Sequence, residues 1–231
     1  MIALSQLRRI AIIASHAEDE VIGCGGLLAK LATTDTSICV VFTAIDDLRM
    51  RNEGSNASYQ EQLDEIHAVS RLLGFSWKIL FDNQGLTHKL DTVPRHELSE
   101  LFEGILYDFR PDLLLLPTAG PDPDDRRVCQ AGLTAACVGE QRTGRWVVPQ
   151  VMGYEQTALR TALGTAPAFS VFVDISEQIN SKLEALALYK TRSAPPPGIR
   201  SLDGVRALAR LRGAQIDVPY AEALHVFRAV L

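Results

Sequence analysis

What most constrains this chain is the alternation of short apolar runs with amphipathic helical stretches through its first half. Residues 8–15 (RRIAIIAS) are apolar, β-rich and bounded by turn residues, as expected of a strand buried on both faces. Gly23 to Thr33 reads as a glycine-led helix, and Ser37 to Ala44 (SICVVFTA) as a second buried strand. Leu63, Ile66, Val69 and Leu73 fall at helical spacing within Glu61–Leu73, which stops at Gly74, a residue suited to a left-handed helix end. Lys78 to Phe81 is a third strand. A helix over Glu97–Phe109 carries Leu98, Leu101, Phe102, Ile105 and Phe109 on one face, and Pro111 separates it from a fourth strand at Asp112–Pro117. Strands alternating with helices predict an α/β fold: a single Rossmann-like domain over residues 1–231, with a mostly parallel sheet and helices on both faces. The second half is less regular. Val147–Glu155 and Ser170–Asp174 read as strands, Ser176 as the cap of a helix running to Tyr189, and Ala194–Gly198 as a stiff loop.

Several function classes are excluded at this level. A net charge of -5 with acids and bases mixed along the chain provides no basic patch for a nucleic-acid backbone. No run of about 18 apolar residues exists, so no transmembrane helix and no membrane partner are expected. The first arginines follow apolar residues and lead straight into a strand, unlike a signal peptide. Four cysteines without CxxC spacing (Cys24, Cys39, Cys129, Cys137) read as reduced core residues of a cytoplasmic protein.

Binding sites in such folds gather at the carboxyl ends of the strands. The turns there contain His16–Glu20, Asp46–Arg51, Asp82–Gly85 and Pro121–Arg127. The first holds a histidine and three acids within five residues, a metal-ligand composition; its plain alternative is a solvated acidic turn. Phosphate binding is disfavoured, because GxGG lacks the dinucleotide spacing and the adjoining acids repel phosphate. Asp122–Asp125 offer a second carboxylate group, or simply the acidic first turn of a helix over Val128–Val138. Asp82 is a candidate for a substrate hydroxyl, while Asp46, Asp47 and Arg49 line the pocket or shape a turn. His67, His88 and His96 read as exposed or structural, and His225 as a packing residue. No nucleophile elbow or Ser-His-Asp order is visible.

His16-Ala17-Glu18-Asp19-Glu20 followed by Gly23-x-Gly25-Gly26 resembles the HPDDE-x-x-G-x-G-G signature of the LmbE-like, PIG-L-type de-N-acetylases. The resemblance extends over most of the chain. Gln62–Gly74 resembles the family's R-x-x-E helix, with Gln62 at the arginine and Glu65 at the acid. Phe81-Asp82 resembles its F-x-D segment, and Asp122-Pro123-Asp124-Asp125-Arg126 falls where the family shows HPDHR. Val173–Ser176 with Lys182, and Arg212-Gly213 with Tyr220–Ala223, fit its C-terminal pattern. The resemblance implies a Rossmann-like, metal-dependent amidohydrolase acting on N-acetylated amino sugars. It makes His16 and Asp19 metal ligands, with Asp125 in place of a third, histidine ligand. Glu18 stands at the general base, and Asp122 in place of the histidine that polarises the carbonyl or protonates the amine. It makes Asp82 and Gln62 substrate-binding residues.

Three of the five reactive positions are therefore altered. A site of one imidazole and two carboxylates neutralises a divalent ion and favours manganese, iron(II) or magnesium over the zinc implied by the resemblance. Glu18, Asp19, Asp122 and Asp125 would crowd one pocket, which demands a metal or a cation such as Arg126 or Arg127. The expected function is a metal-dependent amide hydrolase for a small N-acylated amino sugar or similar amine. The alternatives are a catalytically impaired member that binds a ligand or partner subunit, and a different reaction run by the altered site. The oligomeric state stays open, a homo-oligomer included.

Overall fold

In the computed structural model, which describes residues 4–49, 56–119, 122–137, 146–156, 168–192 and 194–230, helices separate most of the strands. In chain order these are β1 (Arg9–Ala14), α1 (Asp19–Leu31), β2 (Ser37–Ile45), a short ribbon of β3 (Leu48–Arg49) and β4 (Asn56–Ala57), α2 (Tyr59–Leu73), β5 (Ser76–Asp82), α3 (Arg95–Phe109), β6 (Leu113–Pro117), α4 (Pro123–Cys137), β7 (Gln150–Tyr154), β8 (Val171–Asp174), α5 (Ile179–Leu188), α6 (Leu202–Ala214) and β9 (Ala221–Ala229). The main sheet runs β5-β2-β1-β6-β7-β9-β8. Its first four neighbouring pairs are parallel, and β9 is antiparallel to both β7 and β8.

Of the apolar strands read from the sequence, β1, β2 and β6 are buried on both faces, while β5, at the sheet edge, is mostly half-buried or exposed. Ile10 and Ile12 of β1 pack with Val40, Leu27, Ile66 and Leu183 in one cluster. Ala11 and Ile13, pointing the other way, pack with Val41, Leu98, Phe102, Leu114 and Val128 in the other. The chain leaves β1 toward β2 and later returns to place β6 on the opposite side of β1. This reversal opens a crevice at the carboxyl ends of β1 and β6.

Several local expectations are corrected. α1 begins at Asp19 rather than Gly23, so Asp19 and Glu20 lie in its first turn. α4 begins at Pro123 rather than Val128, which puts Asp124 and Asp125 in a helix as well; Val138 lies outside the described residues. Leu101 is 39% exposed instead of facing the core. Ser176 does not cap α5, whose cap position is Gln178; its hydroxyl donates to Asp174 Oδ1 at 2.6 Å and accepts from the Tyr220 N–H. The terminal strand β9 was not anticipated. Among the described residues, no helix is long and apolar enough to cross a membrane.

The glycines of α1 allow close packing. A Cβ at Gly23 would overlap the Tyr154 ring, and one at Gly26 would meet Ile175 at 2.6 Å. Against this face lies a buried ion pair, Lys182–Glu222 at 2.6 Å. Glu222 accepts from the Gly26 and Leu27 N–H groups, and Lys182 donates to the Ile22 carbonyl. These contacts fix the axis of the helix whose first turn carries Asp19.

Candidate metal and active site

The turn from β1 into α1 is tight. Glu18 adopts φ 85°, a left-handed conformation uncommon for a residue with a side chain, and sits at the helix N-cap. His16, Glu18, Asp19 and Asp125 are each buried to within 3% exposure. The His16 N–H donates to Asp19 Oδ2 at 2.9 Å, and His16 Nδ1 lies 3.6 Å from the same oxygen. One donor atom from each of His16, Asp19 and Asp125 lies within 4.8 Å of the other two. Asp19 Oδ1 and Asp125 Oδ1 are buried with no hydrogen-bond partner among the described residues. Neither oxygen accepts a hydrogen bond, and Asp19 Oδ1 has only the Arg200 guanidinium at 3.7 Å; burying both beside an imidazole is costly unless a further cation joins them, so the donor set fits a divalent ion.

The electrostatics follow from this crowding. Burial and the Asp19 charge push the Asp125 carboxyl up to about 8. Asp19 itself is held below the usual carboxylate range: burial opposes this, but His16 and Arg200 outweigh it. Burial would lower the His16 pKa, yet hydrogen bonds to Asp124 and Asp19 carry it up to about 9. Burial raises Glu18 to about 7 against the pull of Arg200 and Arg192. Behind them burial raises Glu20 to about 8, against the hydrogen bond it accepts from the Tyr189 hydroxyl.

Of the two arginines expected to offset these acids, Arg127 is engaged elsewhere, and two others stand against them. Arg127 donates to the Asp91 carbonyl at 2.8 Å. Arg200 instead places Nη1 2.7 Å from Glu18 and Nη2 3.7 Å from Asp19. Arg192 is the second: its Nη2 donates to Gln62 Oε1 at 3.1 Å, and the neighbouring Thr191 is clamped by Glu65 through its N–H and hydroxyl. Both arginines come from the segment between α5 and α6. No local signal distinguished them from the other arginines of the chain.

The remaining candidates are placed as follows. Asp122 Oδ1 accepts from the Asp124 N–H at 2.8 Å and the Asp125 N–H at 3.4 Å, capping α4 while standing half-buried beside Asp125. Gln62 is fully buried and, besides receiving Arg192, donates to the Asp46 carbonyl at 2.5 Å. Asp46 accepts from the Gly85 and Thr87 N–H groups, fixing the turn after β5. Asp82 is exposed at the end of β5, two strands from β1, and receives the Tyr59 hydroxyl. Asp47 caps α2 through the Tyr59 N–H at 2.7 Å. His67 and His96 are exposed as expected. His225 is only half-buried, its ring 2.7 Å from the Ala168 carbonyl. His88 is exposed too, yet its ring lies 4.6 Å from that of His16. Pro121 and residues 50–51, also part of the expected turns, lie outside the described residues.

A family model described as PIG-L, GlcNAc-PI de-N-acetylase, matches residues 11–137. No curated protein matches the chain. A conserved protein from Thermus thermophilus shares the fold with a TM-score of 0.74, at 23% identity over 96% of each chain. N,N'-diacetylchitobiose deacetylase from Pyrococcus horikoshii matches with a TM-score of 0.71 and 19% identity, covering 96% of this chain and 84% of its own. 4-Carboxy-2-hydroxymuconate hydratase from Pseudomonas putida matches with a TM-score of 0.76 and 15% identity, covering 97% of this chain and 98% of its own.

Proposed function

Because the chain belongs to the PIG-L, GlcNAc-PI de-N-acetylase, family, we propose that it is a metal-dependent de-N-acylase acting on a small N-acylated amino sugar or a similar amine. The observation that carries this reading is the convergence of His16, Asp19 and Asp125, with two buried carboxylate oxygens that accept no hydrogen bond, beside the buried carboxyl of Glu18. His16, Asp19 and Asp125 would hold the ion. One imidazole with two carboxylates favours manganese or iron(II) over zinc. When bound, the ion supplies the positive charge that acidifies water and polarises the amide carbonyl.

The chain's own residues handle the protons. Glu18, raised to about 7, divides between its two forms near neutrality. It can therefore take a proton from the attacking water and return one to the leaving amine, so that amide and water yield acid and free amine. Arg200 fixes that carboxylate and tunes it. Asp122 spends its carboxylate on the start of α4 and acts by holding Asp125 in register. Gln62 acts through Arg192, whose guanidinium it orients, and exposed Asp82 remains the contact for a substrate hydroxyl.

One observation favours a second reading. Arg192 and Arg200 bring two cationic groups to a water-activating site, which suits a substrate bearing carboxylates. One neighbour of the same fold is a hydratase of a carboxylated compound. The site would then add water across a carbon–carbon double bond instead of cleaving an amide.

The test supplies manganese or zinc to the chelator-stripped protein and measures amine release from a panel of N-acylated amino sugars and amines. We expect ion-dependent release that Glu18→Gln and Asp19→Asn abolish. Loss of conjugated absorbance from unsaturated dicarboxylic acids, without amine release from any amide, selects the hydratase reading. Glycan-like ligand binding with neither reaction selects a ligand-binding member of the family.

A further inference from the structure

His16 turns its two nitrogens to two different acids. Nδ1 faces Asp19 at 3.6 Å, while Nε2 lies 3.0 Å from Asp124 Oδ2. Asp124 gathers a second donor group: one donor atom from each of His16, His88 and Asp124 lies within 4.8 Å of the other two. The rings of His16 and His88 are 4.6 Å apart and tilted by 41°. The loop carrying His88 is pinned on either side of it. Asp46 accepts from the Gly85 and Thr87 N–H groups, and Asp124 Oδ1 accepts from the Leu90 N–H at 2.9 Å. His88 itself is held at φ 61°, a left-handed conformation that is unfavourable for a residue with a Cβ. Asp124 is buried and His88 is exposed, so this group opens to solvent through the His88 ring.

We propose that His16, His88 and Asp124 form a second divalent-cation site, selective for zinc and mutually exclusive with the site of His16, Asp19 and Asp125. This rests on the metal-site reading above. The two donor sets differ in chemistry. Two imidazoles and one carboxylate make a zinc-type set that leaves the ion a net positive charge. One imidazole and two carboxylates suit harder ions. A neutral imidazole has a single free lone pair, so His16 serves one ion at a time. Zinc bound with His88 withdraws His16 from Asp19 and Asp125, and zinc becomes a competitor of manganese.

The test uses the full chain, stripped with chelator, and follows free manganese by electron paramagnetic resonance and zinc affinity by calorimetry. Zinc added to the manganese-loaded protein should release manganese one for one. His88→Asn, chosen because asparagine tolerates the left-handed backbone, should weaken zinc binding roughly tenfold or more and leave manganese binding unchanged. Asp125→Asn should do the reverse, and melting curves check that both variants fold. Unchanged zinc affinity in His88→Asn, or simultaneous binding of both ions, overturns the proposal. If Asp125→Asn weakens both ions equally while His88→Asn weakens neither, the second site fails and the metal-dependent reading stands. If neither ion binds, both fail. Normal ion behaviour without amine release fails the hydrolase reading alone.

Discussion

Glu222→Gln should cost far more than its near-identical shape suggests. The Glu222 carboxylate accepts three donors, from Gly26 N and Leu27 N at 2.7 and 2.8 Å and from Lys182 Nζ at 2.6 Å. Both partners of the pair are under 5% exposed in their side chains. Glutamine offers one acceptor oxygen. Its NH2 group must face either the Leu27 N–H or the Gly26 N–H with the Lys182 ammonium, donor against donor, and the Lys182 charge loses its counter-ion. Removing one partner of a buried pair costs about 3–5 kcal/mol. For a chain of this length each kcal/mol is worth about 2–4 °C, so the melting temperature should fall by roughly 6–20 °C. Lys182→Met should also destabilise, since it leaves the carboxylate charged and buried. The double variant Lys182→Met/Glu222→Gln should recover much of the loss, because no buried charge remains. Thermal and urea unfolding of the four proteins close the cycle. A fall of less than about 2 °C in Glu222→Gln, or a double variant no better than the sum of the singles, would refute the account of this pair as a coupled unit.

Three further outcomes follow from the site. Glu18, Glu20 and Asp125 have folded pKa values raised to about 7, 8 and 8 from ordinary values of 4.5, 4.5 and 3.8, so the folded state binds more protons across that window and stability falls as pH rises. His16, raised from 6.5 to about 9, contributes stability that is present below 6.5 and lost toward 9, the same direction. The chelator-stripped protein should therefore melt higher at pH 6 than at pH 8, with manganese stabilising most at pH 8; a stripped protein that melts higher at pH 8 contradicts this. Arg200→Met removes the charge that most lowers the Glu18 carboxyl, so the limb of the kcat/KM profile that depends on ionised Glu18 should move to higher pH, with Arg200→Lys intermediate. Gly26→Ala drives a methyl to 2.6 Å from Ile175 Cγ2 and should destabilise by about 1–3 kcal/mol in urea unfolding, with Ile175→Ala relieving part of the cost.

The sequence by itself determined the parts whose determinants lie close together along the chain. β1 and β2 were legible because strands buried on both faces must be apolar throughout. His16, Glu18 and Asp19 stand within four residues on one turn, so their meeting needed no knowledge of the fold. Asp125 was reachable because a parallel sheet that reverses its order brings two particular crossover turns together, at β1 and β6. Tertiary structure alone decided the rest. Arg200 reaches Glu18 across 182 residues and Arg192 reaches Gln62 across 130, and an arginine's sequence neighbours do not specify such distant partners. His88 looked like an ordinary loop histidine; Asp46 and Asp124, from two other elements, pin the loop that sets it against His16. β9 and its Glu222 acquire meaning only when the chain's last strand lies antiparallel between β7 and β8 and carries a carboxylate to the glycine face of α1, 196 residues away. Local patterns fix which segments must be buried, and the packing of those segments fixes which charges meet.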